Sequence, residues 1–161
     1  MFAAANCHRV ELADAGLAAQ AAGAAAYPPS LVAHHPVRLQ QLSTMADGIA
    51  VPLPGDIPFA IVDALVDEVR TVSEGSLSRA ILLMLERAKM LVEPAGAAAV
   101  AALMEEPVDF EPPVVAIVSG GNIDPLVLLR VVRHGLAAAG RTEVKALTPN
   151  AAKASDPAAK A

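Results

Sequence analysis

The residues best suited to chemistry fall in three short stretches. Ser119-Gly120-Gly121-Asn122 follows the apolar run Val114-Val115-Ala116-Ile117-Val118 and precedes Asp124-Pro125. That order predicts a strand, a glycine turn and a helix. Open α/β sheets bind ligands beyond the carboxyl ends of their strands. Two glycines let backbone approach a ligand closely, and the helix start behind them offers free N–H groups. Taken alone, the same turn also reads as a tight connection. Glu93, in Val92-Glu93-Pro94-Ala95-Gly96, sets a carboxylate between two apolar stretches. It is either satisfied at a helix end or turned to a cleft, because a buried carboxylate is costly without partners. Asp47-Gly48, in Ala46-Asp47-Gly48-Ile49-Ala50, lies in a polar break.

Alternating elements must position these stretches. Asp56 is the expected N-cap, with Pro58 in the first turn, of a helix reaching about Glu68. Val69-Arg70-Thr71-Val72 has the β-branched content of a short strand. Ser73 then caps a second helix, on which Leu77, Ile81, Met84, Ala88 and Leu91 form one apolar stripe. Leu82, Leu83 and Leu85 widen it, as for a helix buried on more than one side. Val92-Glu93-Pro94 interrupts, and Ala95–Met104 resumes as a small-residue helix. The run from Val114 to Val118 reads as a strand buried on both faces, as in a parallel sheet. Asp124 caps a last helix, opened by Pro125 and running to about Ala139. Upstream, His8–Leu12 alternates like a strand, and Tyr27-Pro28-Pro29-Ser30 breaks whatever precedes it. The fold class is α/β.

Composition narrows the function. The 161 residues are 55% hydrophobic and 18% charged, which excludes a chain disordered throughout. Thirty-six are alanine, against one Tyr, three Phe and no Trp, so the Leu, Ile, Val and Met clusters are expected to form the core. The single cysteine, Cys7, excludes a disulfide scaffold and a Cys-rich zinc site. The four histidines show no metal-ligand spacing, so no metal is expected. Net charge is -5, and the acidic excess lies before residue 141. An acidic, aromatic-poor body is a poor nucleic-acid binder. No apolar run reaches the ~18 residues of a membrane span, and no leader pattern opens the chain. A soluble cytoplasmic protein is therefore expected. Residues 141–161, rich in Ala, Lys, Pro, Thr and Ser, are expected to be a disordered tail.

Four segments, taken in order, resemble the threonine dehydratases: AAGAAAYPPSL at 21–31, ADGIAV at 46–51, ERAKMLVEPAGAAAVAAL at 86–103 and VVAIVSGGNID at 114–124. These are pyridoxal 5'-phosphate (PLP) lyases of the tryptophan-synthase-β-like fold, with serine racemase and serine dehydratase as relatives. The resemblance covers residues 20–140. Residues 1–19 fall outside the resemblance, and 141–161 stand where the family carries a regulatory domain. It implies a three-layer fold, PLP as cofactor, and deamination of L-threonine to 2-oxobutanoate and ammonia in isoleucine synthesis, with L-serine the alternative substrate. It further implies that Ser119 hydrogen-bonds the pyridine nitrogen, a neutral partner that suits β-elimination. Glu93 would lie near the ring, Gly48 would line its edge, and Gly120, Gly121 and Asn122 would complete the turn.

The departures bear on activity. The family's Schiff-base lysine and phosphate-holding Gly-rich loop belong to its first half and have no counterpart here. The lysines are Lys89, Lys145, Lys153 and Lys160, and Lys89 matches a family lysine on a structural helix. Gly75 also breaks the family's acidic run after Ser73. No catalytic residue is assigned. The expectation is the second half of a catalytic domain, inactive unless another polypeptide supplies the lysine and the phosphate loop. The expected partners are an amino-acid substrate and either further copies of the chain or a complementing first half. The alternatives are a non-catalytic interaction module, a truncated-gene remnant and, more weakly, a free-standing PLP carrier.

Overall fold

The computed structural model describes residues 16–105, 113–138 and 140. The strand expected at His8–Leu12 and the tail expected at 141–161 lie outside those residues. Two parallel strands, β1 (Leu17–Ala21) and β2 (Glu68–Val72), pair with Leu17 opposite Glu68 and Ala21 opposite Val72. β2 is the strand its β-branched residues predict. β1, Leu-Ala-Ala-Gln-Ala, has little strand propensity and is held by its position. Its Ala18, Gln20 and Ala21 are buried.

Between the strands lie α1 (Tyr27–Ala33) and α2 (Asp56–Leu65). The Tyr27-Pro28-Pro29-Ser30 stretch, expected to be a break, instead starts α1. Prolines in a first turn cost nothing, since no intrahelical N–H is needed there. The buried Gln20 side chain accepts the Tyr27 N–H at 3.0 Å and fixes that start. In α2 the cap is Gly55, and Asp56 is the first helical residue rather than the cap. The helix ends at Leu65, short of Glu68, because Val66 is already extended and leads into β2.

Ser73 caps α3 (Glu74–Leu83) as expected, its Oγ accepting the Ser76 N–H at 3.1 Å. The apolar stripe holds at Leu77, Ile81 and Met84, which are buried, and fails at Ala88 and Leu91, which are exposed. The cause is a π-helical turn over Met84–Ala88 that rotates the register. Lys89 closes it in the left-handed region at φ 58°. A 3₁₀ turn over Ala95–Ala97 leads into α4 (Ala98–Glu105), which packs on both strands and on α3. Asp124 caps α5 (Pro125–Ala138), its Oδ1 accepting the Leu126 N–H at 2.6 Å. α5 packs chiefly on α3.

The run from Val114 to Val118 departs from its reading as a doubly buried strand. It has no regular structure, and Val114, Val115 and Ile117 are exposed, Val115 at 82%. Among the described residues β1 and β2 are the only paired strands, so nothing completes a ladder for this run. Val118 alone of the three valines reaches the main core. That core also corrects the expectation that the Leu, Ile, Val and Met clusters form it by themselves. Eight of its fifteen buried residues are alanine, packed with Leu77, Ile81, Met84, Val72, Val92 and Val131. Small side chains let α4 lie close on α3 and the strands. A second cluster joins Tyr27, Phe59 and Val62, the two rings 6.4 Å apart. No helix among the described residues is long and apolar enough to cross a membrane.

Candidate cofactor site

Three separate segments meet at Glu93. The Asp47–Ile49 turn packs on the Ala95–Ala97 turn. A Cβ on Gly48 would stand 3.1 Å from Ala95 Cβ and 3.5 Å from Glu93 Oε1. From the other side comes Gly120, whose φ of +76° lies in the region that favours glycine. A Cβ there would overlap the Glu93 carboxylate. The Glu93 N–H donates to the Gly120 carbonyl at 3.1 Å, so the turn is held by backbone as well as by shape. Gly48, Glu93 and Gly120 therefore form one cluster. The half-buried Glu93 carboxylate makes no hydrogen bond among the described residues. Lys89 turns away from it, its Nζ donating to the Glu86 carbonyl at 2.6 Å.

Ser119 is placed through its backbone. Its carbonyl lies so close over Gly96 that no Cβ fits there. Its side chain is exposed and its hydroxyl is free of any hydrogen bond among the described residues. Gly121 lies over the Leu91 carbonyl, where a Cβ would stand 3.0 Å away. Asn122 is exposed and is not brought into the Glu93 cluster. Gly96 is a site-shaping residue that sequence reasoning passed over. Its signal was present, a glycine inside the run Pro94–Val100 where alanine would otherwise serve a helix better.

Behind this wall a polar network ties α3 to its neighbours. Glu105 Oε1, at the end of α4, accepts from the Ser73 N–H at 3.0 Å and the Ser73 hydroxyl at 2.8 Å. Arg79 donates to Ser76 Oγ at 2.8 Å. Burial, the largest single influence, pushes the Glu105 carboxyl up. The hydrogen bonds from Ser76 and Ser73, with the Arg79 charge, outweigh it and hold the group below its usual range. Glu68 is lowered by its hydrogen bonds with Arg70, at 2.8 and 3.0 Å. Burial raises the Tyr27 hydroxyl. A cavity of about 210 Å³ opens beside this network, lined by Glu68, Arg70, Thr71, Ala102 and Glu105, away from Glu93.

Residues 15–120 match the family described as pyridoxal-phosphate dependent enzyme, which is well over half of the chain. The chain belongs to that family. An L-threonine ammonia-lyase of Geobacter sulfurreducens is 50% identical over 99 residues, which are 61% of this chain and 25% of that protein. The processed form of threonine deaminase isoform 2 from Solanum lycopersicum superposes with a TM-score of 0.66 at 32% identity, covering 73% of this chain and 35% of that one. Maize serine racemase gives 0.65 at 32% identity, covering 71% and 37%. The chain thus spans about a quarter of the length of the curated relatives it matches. These neighbours bear out the α/β class and the fold-type II PLP architecture, and PLP is the family's cofactor.

The residues present suit one edge of such a cofactor. The lack of side chains on Gly48 and Gly120 leaves room for the Glu93 carboxylate between them, and the Ser119 hydroxyl is exposed beside Gly120. A hydroxyl can accept or donate a hydrogen bond at a ring nitrogen.

Proposed function

We propose that this chain forms one wall of the PLP site of an L-threonine ammonia-lyase, with Ser119, Glu93, Gly48 and Gly120 at the cofactor and Gly121 and Asn122 completing the turn that carries Ser119. The observation that carries this reading is the convergence of Gly48 and Gly120 on Glu93 beside an unengaged Ser119 hydroxyl. The chemistry PLP supplies when bound is an electron sink at the amino acid's Cα. The chain's own residues would bind and orient. Ser119 would hold the pyridine nitrogen by a neutral hydrogen bond, Gly48 and Gly120 would let the ring approach the backbone, and Glu93 would set the local charge. L-threonine is favoured as substrate by the ammonia-lyase relatives, and L-serine is the competing one. The product would be 2-oxobutanoate, which feeds isoleucine synthesis.

Alone, the chain would be inactive. Lys89 is the one lysine among the described residues, and it is engaged with Glu86 rather than turned to Glu93. A lysine and a phosphate loop from another stretch of polypeptide would complete the site. Incubation of the chain with PLP and L-threonine should release no ammonia, and borohydride should trap no adduct on a particular lysine. Ammonia release would refute the inactivity. A second reading, a non-catalytic partner-binding module, draws on the exposed Val114, Val115 and Ile117.

A further inference from the structure

We propose that Glu74 is a positioning residue for this wall, acting through the Met45 amide on the turn that carries Gly48. The inference rests on the cofactor reading above. Glu74 is the first residue of α3, and its Oε2 accepts the Met45 N–H at 2.9 Å across 29 residues of sequence. A hydrogen bond to an ionised oxygen is about twice as strong as a neutral one. One turn further along α3, the Ser78 hydroxyl contacts Met45 Sδ at 3.9 Å. The helix thus grips Met45 at two points. Ala46 follows, fully buried, and then the Asp47–Ile49 turn that sets Gly48 against Ala95 and Glu93. The chain from Pro36 to Ala46 has no helix or strand of its own, so its path into Gly48 depends on such anchors.

The Glu74 side chain is not spent on the solvent side of a helix start, where an acidic first-turn residue commonly favours the helix dipole. It turns inward instead, and Oε1 is buried with no partner among the described residues. A carboxylate that accepts this cost to hold a distant loop is doing more than starting a helix. Ser73, next to it, supplies the cap by itself.

The test uses the full chain without PLP and reads amide exchange at Met45 together with the amide resonances of Gly48 and Gly120. Glu74→Ala should speed Met45 exchange about 10-fold or more and shift both glycines. Glu74→Gln keeps an oxygen acceptor and should return Gly48 to its place, with Met45 exchange raised only a few-fold. Ser73→Ala weakens the same helix start without touching Met45 and should leave Gly48 unmoved. A Met45 amide equally protected in Glu74→Ala, or a Ser73→Ala chain that shifts Gly48 as much, overturns the proposal. If Glu74→Ala does not fold, unchanged Met45 exchange in Glu74→Gln overturns it. A parallel PLP titration, read by absorbance, of the chain co-expressed with the portion of an L-threonine ammonia-lyase that it does not cover separates the two ideas: an absorbance change that Ser119→Ala leaves unaltered sinks the cofactor reading, while the exchange data judge the tether.

Discussion

Ser119 and Gly120 are neighbours with opposite demands. The Ser119 side chain is exposed and bonds nothing in the fold, so Ser119→Ala should change stability by less than about 0.5 kcal/mol in urea unfolding. Its effect should appear only where PLP is bound, as a lost hydrogen bond to the ring. Gly120→Ala forces an L side chain into the left-handed region and into the Glu93 carboxylate. It should cost at least about 1–2 kcal/mol in the same measurement. A Gly120→Ala chain as stable as the parent would show that the turn is not held against Glu93. Both residues were legible as a motif. Gly96 was harder to read: a glycine in the alanine-rich run Pro94–Val100 marks a constraint, but its source is the Ser119 backbone, 23 residues away in sequence.

The elements that were legible are those whose signals are local. Ser73 and Asp124 place their side-chain oxygens on N–H groups two or three residues on, and those caps are written in the sequence. The elements that were not legible depend on neighbours. β1 is three-fifths alanine and is a strand because β2 pairs with it, while the apolar run from Val114 to Val118 is no strand because nothing among the described residues pairs with it. The stripe on α3 was read through Leu91, but the π-helical turn after Leu83 breaks the period. The α3–α4 contact carries its own prediction. Since Glu105 is held below its ordinary value of 4.5 in the fold, its ionised form stabilises above that value. That contribution should be lost as pH falls through the lowered folded value. Glu105→Gln should therefore be less stable than the parent at neutral pH, and the gap should close under acid conditions. A gap that stays constant from neutral pH to about pH 3 would mean that the carboxylate does not bridge Ser73.

At the scale of the molecule, the family assignment reinterprets the exposed apolar surface. Val115 is 82% exposed, Leu126 76% and Ile57 75%, on three different segments. A partner supplying the rest of a PLP-enzyme fold would cover part of that surface, and its arrival should slow amide exchange through residues 114–118. The claim on which everything else depends is that Ser119 belongs to a cofactor wall. Its most direct test is to co-express the chain with the portion of an L-threonine ammonia-lyase that it does not cover, then assay ammonia release from L-threonine with PLP present. The account predicts that the two associate and release ammonia, and that Ser119→Ala abolishes the release while leaving the association intact. Association with ammonia release that Ser119→Ala leaves unchanged would contradict it.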